Sequence, residues 1–341
     1  MSWLVSRRGL VVVSLVVALV YPLVMPNDYL VYTMAKAYIF AIATLGLNLI
    51  LGYTGHLNLG HAAFMAIGAY TVGILTVDHG VPFWIAFLLA GIVTSALGFV
   101  AGIISLRLKH HYFSIFTLCV GIIVWLVIQK WDGLTHGVVG IIGIPAPPPI
   151  GPISFENTTA QYYLILCFLI LALVIMDRIV HSLHGRAFMA IRNGEPLAEA
   201  LGVPLMRTKV LSFVISTAYA GYAGALYAGF VRFLDPNIAS ETVAFDMIAY
   251  ILVGGIGTLS GPVVGAILLT WATQSLQFLA DYRLLVFGAM LILLVMFMPR
   301  GIIGTIKARQ ARQAGEHAAA ARAKAAVSGG EAVENKAGAH A

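Results

Sequence analysis

Residues 176–212 read MDRIVHSLHGRAFMAIRNGEPLAEALGVPLMRTKVLS. This island is polar, basic and rich in turn residues, and it lies between long apolar segments that suit lipid. Such an interruption separates two membrane spans. A membrane chain that places two short helices in its longest positive loop offers a docking surface there.

The composition agrees with a bilayer. Hydrophobic residues make up 60% of the 341 and charged residues 10%, whereas a soluble globular chain carries about 25% charge. Mean hydropathy is +0.93. The 35 glycines suit closely packed transmembrane helices. The chain is basic, but its Lys and Arg flank apolar spans instead of forming a patch, so topology explains them better than nucleic acid does. The two cysteines, Cys119 and Cys167, sit in apolar runs and read as small buried hydrophobes with no disulfide framework or metal cluster.

A span needs about 20 mostly apolar residues. Candidates lie near 9–26, 30–51, 57–78, 82–105, 111–130, 161–179, 209–231, 243–256, 259–279 and 282–299. The expected fold is therefore an all-α integral membrane protein of about ten transmembrane or re-entrant helices. The first span follows Arg7 and Arg8 and lacks a convincing cleavage site, so it reads as a retained helix. The eighth is too short to cross alone and reads as broken or re-entrant.

With the N-terminus inside, only Lys36, Lys130, Arg232 and Arg283 of the 20 Lys and Arg fall in the membrane or on the outer side. The bias places both termini and the loop 180–208 in the cytoplasm. The outer loop 131–160 carries Pro145, Pro147, Pro148, Pro149 and Pro152, which oppose regular helix and favour a stiff extended cap. Residues 1–306 form the expected permease domain, and 307–341 an Ala-rich cytoplasmic tail with a disordered end.

Candidates for bond chemistry are few. No P-loop, nucleophile elbow or His-Glu-x-x-His motif is present. Polar residues within spans are costly and therefore informative. Lys36 reads as snorkelling to the interface, His61 as a neutral histidine bonded to nearby backbone, and Asp246 as capping or facing water; each has a functional alternative. The absence of paired intramembrane acids argues against an ion-coupled carrier, and the lack of nucleophile, base and metal ligands against an intramembrane enzyme.

Two glycine clusters interrupt helix: Gly52, Gly55 and Gly60 ahead of His61, and Gly254, Gly255, Gly257 and Gly261 in the second half. Each lets backbone approach closely or leave helical geometry. Paired interruptions point to a translocation pathway and a faint internal repeat; helix packing through small residues is the other reading. In the polar island, Asn193-Gly194 breaks a first helix over 186–192. Glu195-Pro196 starts a second, which Gly202 and Pro204 end. Glu195 and Glu199 lie one turn apart beside Ala198, Ala200 and Leu201.

At these residues the chain resembles a known family. His184-Gly185-Arg186-Ala187, Ala190-Ile191-Arg192, Glu195, Ala198 to Gly202, Lys209 and Ser212-Phe213 are similar to the coupling loop of bacterial branched-chain amino-acid ABC importer permeases of the LivM type. Leu47 to Gly55, Leu59 to Phe64, Gly68 to Tyr70, Gly221 to Tyr227, Gly254 to Pro262 and Pro299 to Gly301 match further signatures in order. Asn58 stands where relatives often have Ser, and Met298 where many have Arg.

The resemblance implies half of an importer's pore for Leu, Ile or Val, with closely similar permeases serving urea and short amides. It implies a second, homologous permease, two cytoplasmic ABC ATPases and an extracytoplasmic substrate-binding protein as partners, in the inner membrane. No cofactor, metal or catalytic residue is expected, and no nucleic acid. Gly185, Arg186, Arg192, Glu195, Glu199, Ala200 and Gly202 are assigned to ATPase coupling. Gly52, Gly55, Asn58, Gly60, His61, Gly254, Gly255 and Gly257 are assigned to the pathway.

Overall fold

The computed structural model describes residues 7–275 apart from Pro26, Lys109, Ile150, Pro152 and Ile153, together with Gly288, Met296 and 301–305. The last expected span apart from Gly288 and Met296, the Met298 departure, Pro299-Arg300 and the tail 307–341 lie outside the described residues. Those described form a multi-pass, all-α membrane protein.

Helix α1 (Arg7–Val24) leads to α2 (Asp28–Asn48), which starts where the Asn27 side chain accepts a bond from Tyr29 N and continues into a π-turn, Leu49–Tyr53. Helices α3 (His61–Val77), α4 (Phe83–Ser105) and α5 (His110–Lys130) follow. The outer loop begins with a single turn, α6 (Asp132–Thr135), and a two-residue strand β1 (Ile141–Ile142), before its prolines enforce extended backbone. Then come α7 (Thr158–His181), the short α8 (Leu183–Asn193) and α9 (Glu195–Ala200), and α10 (Leu205–Val231). Strand β2 (Phe233–Leu234) pairs antiparallel with β1, and α11 (Glu241–Gly254) and α12 (Gly261–Ser275) complete the order. The end of the bundle bearing β1 and β2 is called the sheet end, and that bearing α8 and α9 the loop end.

Burial separates a centre from a lipid-facing rim. The spans built on α2 and α10 are 78% and 61% buried, against 33%, 22% and 33% for α4, α5 and α7. Small residues let the central helices touch. Gly68 of α3 meets the Gly221 backbone of α10, and Gly224 meets Met65 and Ala69. Within lipid, close approach of this kind supplies the packing that hydrophobicity alone cannot.

Helix α3 does not begin at the end of the bundle. Residues 54–60 leave the end of α2 without helical structure and run back inward. His61 then bonds the Ala43 carbonyl well inside α2, while Gly60 lies against Thr117 and Gly121 halfway along α5. The second half mirrors this from the other end. After α10 the chain turns at Arg232, pairs as β2, then dives along Asp235–Ser240. Ala239 and Glu241 border the same small cleft as Gly60, Ala62 and Ala63. Helices α3 and α11 thus start beside each other at mid-depth and run to opposite ends. At 14 residues, α11 spans about 21 Å, short of the ~30 Å hydrocarbon core. This is the discontinuous-helix arrangement expected from its length.

One expectation is corrected. The sequence pairs the glycines 254–261 with 52–60 as the two helix breaks. They form instead the tight turn joining α11 to α12. The counterpart of 54–60 is 235–240, which contains no glycine and is held by Asp235 accepting from Asn237 N.

Candidate functional site at the loop end

Helix α8 is held by its start and by one face. Ser182 caps Gly185 N, and Phe188 and Ile191 are buried. A side chain on Gly185 would strike the Ile179 and Val180 carbonyls, so glycine permits the tight reversal out of α7. Helix α9 ends where Gly202 takes a left-handed φ of 81° and Val203 N bonds Ala198 O at 3.0 Å.

Both glycine clusters converge here. The Asn48 amide donates to Thr258 O at 2.9 Å, and its oxygen accepts from Gly257 N at 2.9 Å. One buried side chain therefore pins the α11–α12 turn to the end of α2. Gly52 fills the gap between Asn48 and the Gly257 backbone, with no space for a methyl group. The Gly52 carbonyl accepts from Arg192 Nη1, and Gly55, at φ 86°, lies under the Arg192 side chain. Gly257, at φ 70°, meets the same guanidinium. Gly255 and Gly254 pack against Gly301 and Gly261.

A second tie is ionic. Glu195 Oε1 lies 2.6 Å from Lys209 Nζ on α10 and 3.4 Å from His56 Nε2 in the 54–60 segment. Lys209 and His56 are 8% and 6% exposed, Glu195 29%. Glu195 therefore faces into the bundle, away from the surface that the sequence assigned it to. Ala198 is buried as well. The outward face of α9 carries Glu199, Ala200, Leu197 at 65% exposure and Leu201 at 73%, with Arg186, Leu183 and Met189 exposed on α8.

The remaining predicted residues sit apart, at mid-depth. Asn58 and His61 are fully buried. Asn58 Oδ1 accepts from Gly60 N at 3.0 Å and His61 Nε2 meets Ala43 O at 2.9 Å, while Asn58 Nδ2 and His61 Nδ1 have no partner among the described residues. Lys36 and Asp246, read separately in the sequence, line one cavity on the sheet-end side of this break. Asn48, His56 and Lys209 carry the junction although the residues assigned to coupling and pathway omit them. Asn48 is legible as a polar residue inside an apolar run and Lys209 belongs to the stretch similar to the coupling loop, whereas His56 depends on contacts across the fold.

The family model described as branched-chain amino acid transport system / permease component matches residues 29–295. The chain belongs to this permease family. It is 30% identical over 323 residues to the high-affinity branched-chain amino acid transport system permease protein LivM of Salmonella typhimurium and to that of Escherichia coli, covering 88% of this chain and 75% of each relative. It is also 26% identical over 287 residues to the LivH permease protein of Escherichia coli, covering 78% of this chain and 91% of that one. No solved structure matches the permease.

Proposed function

We propose that this permease forms half of the translocation pathway of an ATP-driven importer for leucine, isoleucine and valine. A second, homologous permease supplies the other half. The similarity to both LivM and LivH relatives supports a pair of related subunits. Two ATPases dock on α8 and α9, and a soluble binding protein delivers substrate at the sheet end. The subunit performs no catalysis, and hydrolysis belongs to the ATPases. The Lys and Arg bias supports a cytoplasmic loop end and cytoplasmic termini in a bacterial inner membrane.

The observation that carries this reading is the double tie of the short helices. Arg192 holds α8 to Gly52, and Glu195 holds α9 to Lys209 and to His56. Movement of the α8–α9 pair therefore pulls on the 54–60 segment, which leads into α3 at mid-depth. That is a rigid link from a docking surface to a broken membrane helix, suited to switching a bundle between two packings. Leu197, Leu201 and Glu199 offer the contact face.

Reconstitution into proteoliposomes with the partner permease, ATPases and binding protein tests the proposal. Labelled leucine uptake should require ATP and resist competition by urea; uptake that persists without ATP overturns it. Glu199→Lys and Leu197→Asp should each cut ATPase association by more than about tenfold while the protein still inserts. Undiminished association in both would remove α9 from the docking role.

A further inference from the structure

Helices α4 and α10 touch closely along one seam, where side chains on Gly98 and Gly102 would meet Thr217 and Phe213. Beside that seam they leave a trench of about 460 Å³, lined by Phe99 and Ile103 of α4 and by Met206, Arg207, Val210 and Val214 of α10. Phe99 is 50% exposed and α4 is a rim helix, so the trench opens on lipid. From Arg207 to Val214 the helix rises about 10 Å. The deep end of the trench is hydrocarbon, and its mouth, at the loop end, carries its single charged group. Arg207 is exposed and makes no hydrogen bond or ion pair among the described residues. Arg107, just beyond the end of α4, is exposed at the same end.

That layout selects a class of ligand. An apolar trench open to a bilayer fills with hydrocarbon, because water finds no partners on its walls. The guanidinium at its mouth suits a phosphate. A fatty chain alone would leave Arg207 unmatched, and a free phosphate would leave the trench unfilled. A zwitterionic lipid would bring its own cation to the arginine. We infer that the trench binds one acyl chain of an anionic phospholipid from the leaflet at the loop end, with the lipid phosphate on Arg207. Basic pockets between membrane helices recognise headgroups of this kind. A second apolar groove, at Phe87, Phe168 and Tyr222, has no cation in its lining and should take lipid tails without regard to headgroup. The position of the trench gives the lipid a role. Arg207 is close in the chain to Lys209, which holds Glu195 of α9. The lipid therefore braces the start of α10, against which the α8–α9 pair is tied. This goes beyond the importer reading and requires neither cargo nor ATP.

The test uses the full chain assembled with its partner permease in phosphatidylcholine nanodiscs, without binding protein or ATP. Trace phosphatidylglycerol or phosphatidylcholine, each with a photoreactive diazirine in one acyl chain, is cross-linked and the labelled peptides are mapped by mass spectrometry. The phosphatidylglycerol probe should label residues 99–103 and 206–214 about fivefold more than the phosphatidylcholine probe. Both probes should label the groove at Phe87 alike, which also reports that each variant is folded. Arg207→Gln should abolish the preference, and Arg207→Lys should keep most of it. Val214→Trp, which fills the trench and leaves the arginine in place, should lower labelling there while the Phe87 groove is labelled as before. Equal labelling of the trench by the two probes overturns the assignment, as does a preference unchanged in Arg207→Gln. Competition by millimolar glycerol phosphate would make it a site for free phosphate and overturn it too. An unlabelled trench beside a labelled Phe87 groove would mean that the partner permease covers it, and the lipid assignment would fall.

Discussion

The two breaks that start α3 and α11 are built from opposite materials. The 54–60 segment follows a glycine-rich turn whose backbone is crowded by its neighbours: Gly52 against Asn48 and Gly257, Gly55 under Arg192, Gly60 against α5. The 235–240 segment has no glycine, and is shaped by Asp235 capping the turn, Pro236 at its first position and Pro236, Ile238 and Ala239 buried. Both deliver a helix start to mid-depth. Glycine here marks where two backbones must touch, and not where a helix must stop.

Gly52→Ala should have the largest effect at the first of these breaks. Its new methyl group meets Asn48 and Gly257, and Gly257 N lies 2.6 Å from where that methyl would sit. Backbone on one side and a doubly bonded amide on the other leave nothing flexible to yield. Overpacking of this kind costs about 1–3 kcal/mol or more. We expect loss of the monodisperse, folded permease, read by size-exclusion in detergent. A well-folded Gly52→Ala permease would show that the α2 end and the α11–α12 turn are not locked.

Asn48→Ala should come next. It strips partners from Gly257 N and Thr258 O, and each buried group left unpaired costs about 1–3 kcal/mol. A drop in thermal midpoint of several degrees is expected, with ATP-driven uptake falling further than stability explains, because the turn no longer follows α2. Uptake falling only in proportion to folded protein would reduce Asn48 to a structural tie.

The same contrast explains what the sequence disclosed. Hydropathy runs located the spans, since lipid demands long apolar helices. Asn193-Gly194 and Gly202 bounded α8 and α9 because their turn chemistry is local. The partner of the first break is not legible, because 235–240 carries only a capping aspartate and a proline, signals shared with any loop. Glu195 reads as outward-facing because helical spacing gives a face but not what covers it. Its partners, His56 and Lys209, are distant in sequence. Lys36 and Asp246 were both visible as costly charges, yet only the fold brings α2 and α11 together around one cavity.

The smallest effect sharpens the second break. Asp235→Ala removes the acceptor for Asn237 N, and losing such a cap costs about 0.5–2 kcal/mol. That predicts a modest fall in thermal midpoint with the fold intact. Asp235→Asn keeps an acceptor oxygen and should leave the midpoint close to wild type, since Asn caps about as well as Asp. A midpoint that falls equally in both variants would mean the charge, and not the cap, holds 235–240 in place. The break would then owe its shape to the ionisable cavity beside it, and the contrast with the sterically locked 54–60 segment would be one of electrostatics against packing.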